Sequence, residues 1–434
     1  MGDGAPGSGV PLPPAERVAG RLGSGPAAAG GAAGGQRFRV LVLNQISPKG
    51  LKRLPAERYE TSKDGHHTHH ATPGEPDAIL VRSADLHSMQ IPASVKAIAR
   101  AGAGVNNIPV TAMNARGVPV FNAPGANANA VKELVLAGML LAARNLPDAL
   151  RFVGGLDPKA PGMDKTVEDG KKAFAGFELA GHSLGVIGLG KVGCLVADAA
   201  IKLGMDVLGY DPHITVDAAW SLPSQVKKAG SVNEALKACD FVTLHVPLVD
   251  ATRDMVNGDN IVLMRDGAVL MNFSREGVVS EAAVLHALNG GKLGWYACDF
   301  PSPASHGHPR VIALPHLGAS TREAEENCAV MVVDQLRAFL EHGDVVNAVN
   351  FPEVTMARES AYRVAIANAN VPNMLGQIST AMANAGLNIH NMVNKSRGDM
   401  AYTLVDVDSP VATQVLDAIR AIEGVLSVRY LPQP

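Results

Sequence analysis

The chain has 434 residues and 47% of them are apolar, enough for two to four domains with substantial cores at roughly 100 to 200 residues each. Lys and Arg number 38 against 41 Asp and Glu, so the net charge of -3 gives no general attraction for nucleic acid or anionic lipid, and a charged ligand should be small and locally held. The four cysteines, Cys194, Cys239, Cys298 and Cys328, form no C-x-x-C pair and fit buried thiols in a reducing, cytoplasmic compartment better than a disulfide framework or a zinc site.

Residues 1–36, dominated by Gly, Ala and Pro, have too little large apolar surface to offset chain entropy and are expected to be disordered. A transit peptide is the alternative, although the stretch has no apolar h-region and is not strongly Arg/Ser-rich. From Phe38 the pattern changes to short apolar strands, RVLVLN, AILVRS, VKAIARAG and VPVFNAP, alternating with helical stretches, the signature of an open, mostly parallel α/β sheet. The polar, Gly/Pro-flanked run GHHTHHAT, with His66, His67, His69 and His70, reads as a solvated loop, with a metal site as the alternative. A long helix is expected over Ala128 to Asn145, containing the longest apolar stretch, LVLAGMLLAA, which is shorter than the roughly 18 residues that suggest a membrane span. A polar connection follows, then further βα units with strands at DVLGYD, DFVTLHVP, AVLMNFS, LGWYACD and VIALPH. After GDVVNAVNFPEV the alternation stops, and from Arg363 the order becomes β-α-β-β-α-β, the ferredoxin-like layout.

The chemistry is carried by GVIGLGKVG, in which Gly188, Gly190 and Gly193 make a G-x-G-x-x-G between a strand and a helix, with Asp211 ending the next strand. Glycines at these positions let backbone N–H groups and the helix N-terminus approach a pyrophosphate, and the carboxylate accepts from ribose hydroxyls while repelling a 2′-phosphate, so NAD is favoured over NADP. Useful side chains recur at later strand ends: His245-Val246-Pro247, then Asn272-Phe273-Ser274-Arg275, Asp299 and His316. In a doubly wound sheet ligands lie outside those ends. Hydride transfer needs a proton acceptor for a hydroxyl and a fixed cation for a carboxylate, and a histidine and an arginine fork supply them.

Four stretches, GFELAGHSLGVIGLGKVG, NFSREGVV, LPHLGAST and NVPNMLGQIS, resemble the D-isomer-specific 2-hydroxyacid dehydrogenase family in a form that carries a C-terminal ACT regulatory domain. The resemblance implies an α/β fold: a Rossmann-type NAD-binding domain (128–317) inserted in a flavodoxin-like substrate domain (37–127 and 318–345). A linker (346–362) and a ferredoxin-like ACT domain (363–434) would follow, in a homodimer or homotetramer. It also implies the reaction, NAD-dependent oxidation of 3-phosphoglycerate at the head of serine synthesis. Glycerate or 2-hydroxyglutarate as substrate, or an NAD-sensing, corepressor-like binding protein, are the alternatives.

By the same resemblance Arg275 binds the substrate carboxylate and keto oxygen, and His316 is the general acid/base. Lys191 and Val192 lie at the pyrophosphate, Asp211 at the adenosine ribose, Asp299 near the nicotinamide carboxamide, and Val246, Pro247, Phe273, Ser274, Gly318 and Ala319 along the cofactor. Substrate contacts fall on Arg82 and Ser83 of VRSADL and on Arg100, Gly102, Ala103 and Gly104 of ARAGAGVNNI, where two arginines would suit a phosphorylated substrate. The family's glutamate before a proline is replaced by Ser302 before Pro303, leaving His316 without a sequence-local carboxylate. In the last segment Asn368 and Asn370 close one strand and Asn388 opens the next, so three amides are expected to converge at one end of the small sheet, as an L-serine site between paired subunits. No metal, nucleic-acid or membrane partner is expected.

Overall fold

A computed structural model describes residues 37–64 and 75–433. The N-terminal Gly/Ala/Pro-rich stretch and the cluster His66, His67, His69 and His70 lie outside the described residues. The described residues form three sheets. The first is parallel, in the order β2-β1-β3-β4-β5, with β1 (Phe38–Leu43), β2 (Tyr59–Asp64), β3 (Ala78–Val81), β4 (Ala97–Arg100) and β5 (Val120–Phe121). The second is also parallel and comprises β6 (Ser183–Ile187), β7 (Asp206–Tyr210), β8 (Lys227–Lys228), β9 (Phe241–Leu244), β10 (Ala268–Asn272), β11 (Leu293–Cys298) and β12 (Val311–Ala313). Its order, β12-β11-β10-β9-β6-β7-β8, reverses direction at β6, which puts the ligand crevice at the carboxyl end of that strand.

Strands covered by helices on both faces are apolar throughout rather than alternating, and AILV of β3, FVTL of β9 and AVLMN of β10 are buried at every position. Helix Ala128–Ala143 follows the first sheet in the chain but packs Val131, Val135 and Met139 into the core of the second. Helix Arg322–His342 makes the return journey and buries Cys328, Val332, Val333, Leu336 and Phe339 in the core of the first. Its first turn is capped by the Thr321 side chain, which accepts from Ala324 N. The stretch after helix Ala128–Ala143, expected as a polar connection, contains helices Leu146–Gly154 and Met163–Gly170.

The third sheet is antiparallel, ordered β14-β15-β13-β16, with β13 (Tyr362–Ala369), β14 (Ile389–Arg397), β15 (Met400–Val407) and β16 (Val425–Pro432). Helices Met374–Asn384 and Thr413–Arg420 complete the ferredoxin-like unit. This unit is not hung on a free tether. Ala365, Ala367, Tyr402, Leu404 and Leu431 join Phe339 and Phe351 in one apolar core with the first sheet. The segment 346–362, expected as a linker, is packed instead, with Phe351, Val354 and Met356 buried and the Asn350 amide bonded to Val120 N (2.8 Å) and Val118 O (3.0 Å).

Candidate active site

The strand–turn–helix at the second sheet's crevice shows why each glycine is there. Gly188 has φ 93°, and a Cβ on it would come within 2.7 Å of His245 O; one on Gly193 would lie 1.9 Å from Gly188 O. At Gly190 a Cβ would meet nothing within 4 Å, so the space before the N-terminus of helix Lys191–Lys202, which includes Val192, is open to a ligand. Asp211, just past β7, accepts from Leu189 N (2.8 Å) and His213 N (2.9 Å), which fixes its carboxylate beside the turn. An open helix N-terminus with a carboxylate held at the neighbouring strand end fits a dinucleotide with a free 2′-hydroxyl. Val246, half-buried, and Pro247, exposed, follow β9 on the other side of the switch point. The His245 ring bonds Thr243 Oγ1 at 3.0 Å, and burial pushes its imidazole down to about 3, so it is a neutral structural group at physiological pH.

Past β10, the buried Asn272 amide builds the next turn: its Oδ1 accepts from Ser274 N (3.1 Å) and Oγ (2.9 Å), and its Nδ2 donates to Arg275 O (2.9 Å). At two of the expected cofactor positions the Phe273 ring points into the core, against Gly138 of helix Ala128–Ala143, and the Ser274 hydroxyl donates to Asn272 Oδ1, which leaves it only its lone pairs for a further partner. Arg275 is exposed and reaches across to the other domain.

There it meets the first sheet's segment after β4. A Cβ on Gly104 would lie 3.6 Å from Arg275 Nη2, 3.7 Å from Arg100 Nη1 and 3.5 Å from Asn106 Oδ1, so guanidinium groups from both domains flank one point. Arg100 donates to Gly104 O (2.7 Å), while its buried Nε has no partner. Burial first, then the charges of Arg275 and Arg82, push the Arg100 guanidinium below its ordinary value, a sign that three like charges are crowded together. Ala103 O, one residue before Gly104, accepts from Asn122 Nδ2 (2.6 Å), and Gly102 N donates to Arg100 O (2.8 Å). Ser83 N is held by Asn44 Oδ1 (3.1 Å), and Arg82 pairs with Glu325 at 2.7 Å. Asn44, Asn106, Asn122 and Glu325 were not among the expected site residues.

His316 follows β12 and stands two strands from Arg275, roughly 10 Å at ordinary strand spacing. Asp299 lies between them but is 2% exposed, and its two oxygens accept from Leu317 N and Gly318 N, both at 2.7 Å. Asp299, expected near a nicotinamide carboxamide, thus anchors the loop 316–319, and each of its oxygens keeps a further acceptor site. Among the described residues no carboxylate bonds the His316 ring, and no group of three or more His, Cys, Asp or Glu is placed to hold a metal ion.

The convergence of Asn368, Asn370 and Asn388 is overturned within one chain. β13 and β14 each run antiparallel to β15, so they are parallel to each other: Asn368 faces Ala401, whereas Ile389, beside Asn388, faces Val407 at the far end. The separation is roughly 20 Å along the sheet. Asn368 is also 1% exposed, with its Nδ2 on Ala369 O (2.7 Å), and the Asn370 amide donates to Gly398 O (3.0 Å).

The chain belongs to the D-isomer-specific 2-hydroxyacid dehydrogenase family, whose NAD-binding domain model matches residues 136–318, and its cofactor is NAD. Among curated proteins it is 35% identical to D-3-phosphoglycerate dehydrogenase of Methanocaldococcus jannaschii over 345 residues, 77% of this chain and 62% of that protein. It is 34% identical to the D-3-phosphoglycerate dehydrogenase of Haemophilus influenzae over 343 residues, 76% of this chain and 79% of that one. Among solved structures it is similar to the TT0316 protein of Thermus thermophilus (27% identity, TM-score 0.58, covering 72% of this chain and all of that one). An NAD+-bound 3-phosphoglycerate dehydrogenase of Entamoeba histolytica shares the fold at 24% identity and TM-score 0.57, over 72% of this chain and 99% of that one. Among the described residues no helix is long and apolar enough to cross a membrane.

Proposed function

We propose that the protein oxidises 3-phospho-D-glycerate to 3-phosphooxypyruvate, the entry to L-serine synthesis. The observation that carries this reading is the meeting of Arg100 and Arg275 around Gly104, with Arg82 close enough to add its charge. A 2-hydroxy acid needs one cation for its carboxylate; a phosphorylated one needs more, and the planar guanidinium forks match both groups. Arg275 holds the carboxylate and the oxygen at C2, while Arg100 and Arg82 face the phosphate. His316 takes the hydroxyl proton as the C2–O bond becomes a carbonyl. The turn 188–193 would hold NAD, which when bound would supply the acceptor for the hydride from C2. The similarity to the archaeal and bacterial phosphoglycerate dehydrogenases supports the same substrate.

NADH formation measured with a panel of phosphorylated and unphosphorylated 2-hydroxy acids tests the proposal. A preference for glycerate or 2-hydroxyglutarate would replace the substrate, and NAD binding without turnover of any hydroxy acid would leave a sensor of the cofactor. An L-serine site using Asn370 and Asn388 is retained only as one built from two chains, because a single chain holds these residues at opposite ends of its sheet.

A further inference from the structure

A general acid/base must present one ring nitrogen at a fixed angle, and an imidazole on an exposed loop has two side-chain torsions to settle before it can. Ser302 stands where a glutamate would orient the His316 ring by sequence resemblance, and no carboxylate takes its place among the described residues. The ring is held in another way. Its backbone sits at φ 56°, a left-handed conformation that a non-glycine residue keeps only where the surroundings impose it. Here His316 N donates to Asp299 O (3.1 Å), and the Asp299 carboxylate ties down the next two N–H groups. The ring then meets Phe300 edge to face, with centroids 5.2 Å apart and planes at 69°, the arrangement that aromatic quadrupoles favour.

Phe300 is itself braced. Pro301 follows it, and the Ser302 hydroxyl donates to Glu281 in the first turn of helix Glu281–Asn289. Ser302 and the buried Ser305 exchange N–H to hydroxyl bonds of 3.3 and 3.1 Å. Glu281 thus holds the segment that carries the aromatic ring.

We infer that Phe300 is the positioning residue for His316, its ring doing the orienting that a carboxylate would do elsewhere, with Glu281 and Ser302 bracing it from behind. The inference rests on the reading of His316 as acid/base. It differs from simple packing because the ring acts through one side chain: its worth should vanish when that side chain is gone.

The test compares kcat and KM for Phe300→Leu and Phe300→Tyr, each alone and combined with His316→Ala, in full-length enzyme whose melting temperature is recorded. Phe300→Leu keeps apolar volume without a ring and should lower kcat about five- to fiftyfold with KM for NAD unchanged. Phe300→Tyr should stay within about twofold of wild type, and Phe300→Leu should cost nothing further in the His316→Ala background. Should Phe300→Leu fail to fold, Phe300→Met makes the same comparison. Wild-type kcat in the ringless variant, equal damage from Tyr and Leu, or a loss that persists undiminished without His316 would each overturn the inference while leaving the function intact. A wild type that oxidises no 2-hydroxy acid would overturn both.

Discussion

His316→Ala should lower turnover by about 10² to 10⁴, the usual share of a positioned acid/base, while NAD titration is unaffected because the dinucleotide turn lies at β6. Gly193→Ala acts on the other half of the site. Its Cβ would fall 1.9 Å from Gly188 O, so the helix start has to move away from the place of the pyrophosphate, and NAD affinity should fall at least tenfold in calorimetry. Asp211→Ala should weaken NAD and admit NADP, read as the ratio of the two in kcat/KM. These residues were legible because strand ends and glycine spacing are local features of the sequence. Phe273 was not: the end of β10 tells which residues leave the sheet, but whether the ring turns to the core or to the crevice is decided by Gly138, far away in the chain. Asn44 and Glu325 were hidden for the same reason, since they orient Ser83 and Arg82 from positions 39 and 243 residues distant.

Elements rich in apolar residues announce themselves, and β3, β9 and β10 were readable as uninterrupted buried runs. β2, with the polar sequence YETSKD, was missed because an edge strand bonds on one side only and has little need of apolar residues. The asparagines were misplaced because sequence order does not say which end of a strand faces which; that follows from the parallel relation of β13 and β14, which only the pairing through β15 sets. One consequence belongs to this sheet alone. Arg363 on β13 and Asp406 on β15 pair at 2.6 and 2.9 Å with both side chains fully buried, and Arg363 also donates to His342 O and Ala357 O, each at 3.1 Å. Burial alone would raise the Asp406 carboxyl, but the Arg363 and Glu359 N–H bonds outweigh it and hold it below its ordinary value. A depressed carboxyl stabilises the fold above the unfolded value of about 3.9 and stops doing so as pH falls through the folded value. The melting temperature should therefore drop on acidification below about pH 4, and Asp406→Asn should reduce that drop. Arg363→Met, which strands the carboxylate, should destabilise by about 3 to 5 kcal/mol in urea at neutral pH.

A ferredoxin-like unit at the end of a dehydrogenase invites the picture of a module swinging on a tether, and the apolar contacts argue against it. The helix Arg322–His342 begins beside Arg82, which pairs with Glu325, and ends under the third sheet. There Arg429 of β16 donates to Phe339 O (3.1 Å), which also accepts from Gly343 N (2.9 Å), and to Leu340 O (2.9 Å), a carbonyl near the helix C-terminus, with its guanidinium 4.2 Å from the Phe339 ring centroid. Sheet and helix are thus two sides of one core, since Tyr402, Leu404 and Leu431 are buried on the same cluster as Phe121 and Val332. Removing the sheet would expose that face and take the arginine partners from Leu340 O and His342 O, whereas removing a tethered module would expose almost nothing. A chain stopped after Ala357 should accordingly aggregate or melt well below the full-length protein, and protease should cut slowly within 346–362 compared with an exposed linker. Unfolding of the intact chain, followed in urea by a probe in the third sheet and another in the first, should give coincident transitions. A truncated protein that is monodisperse and as heat-resistant as the intact one would show that the shared core contributes little and that the sheet is a free module after all.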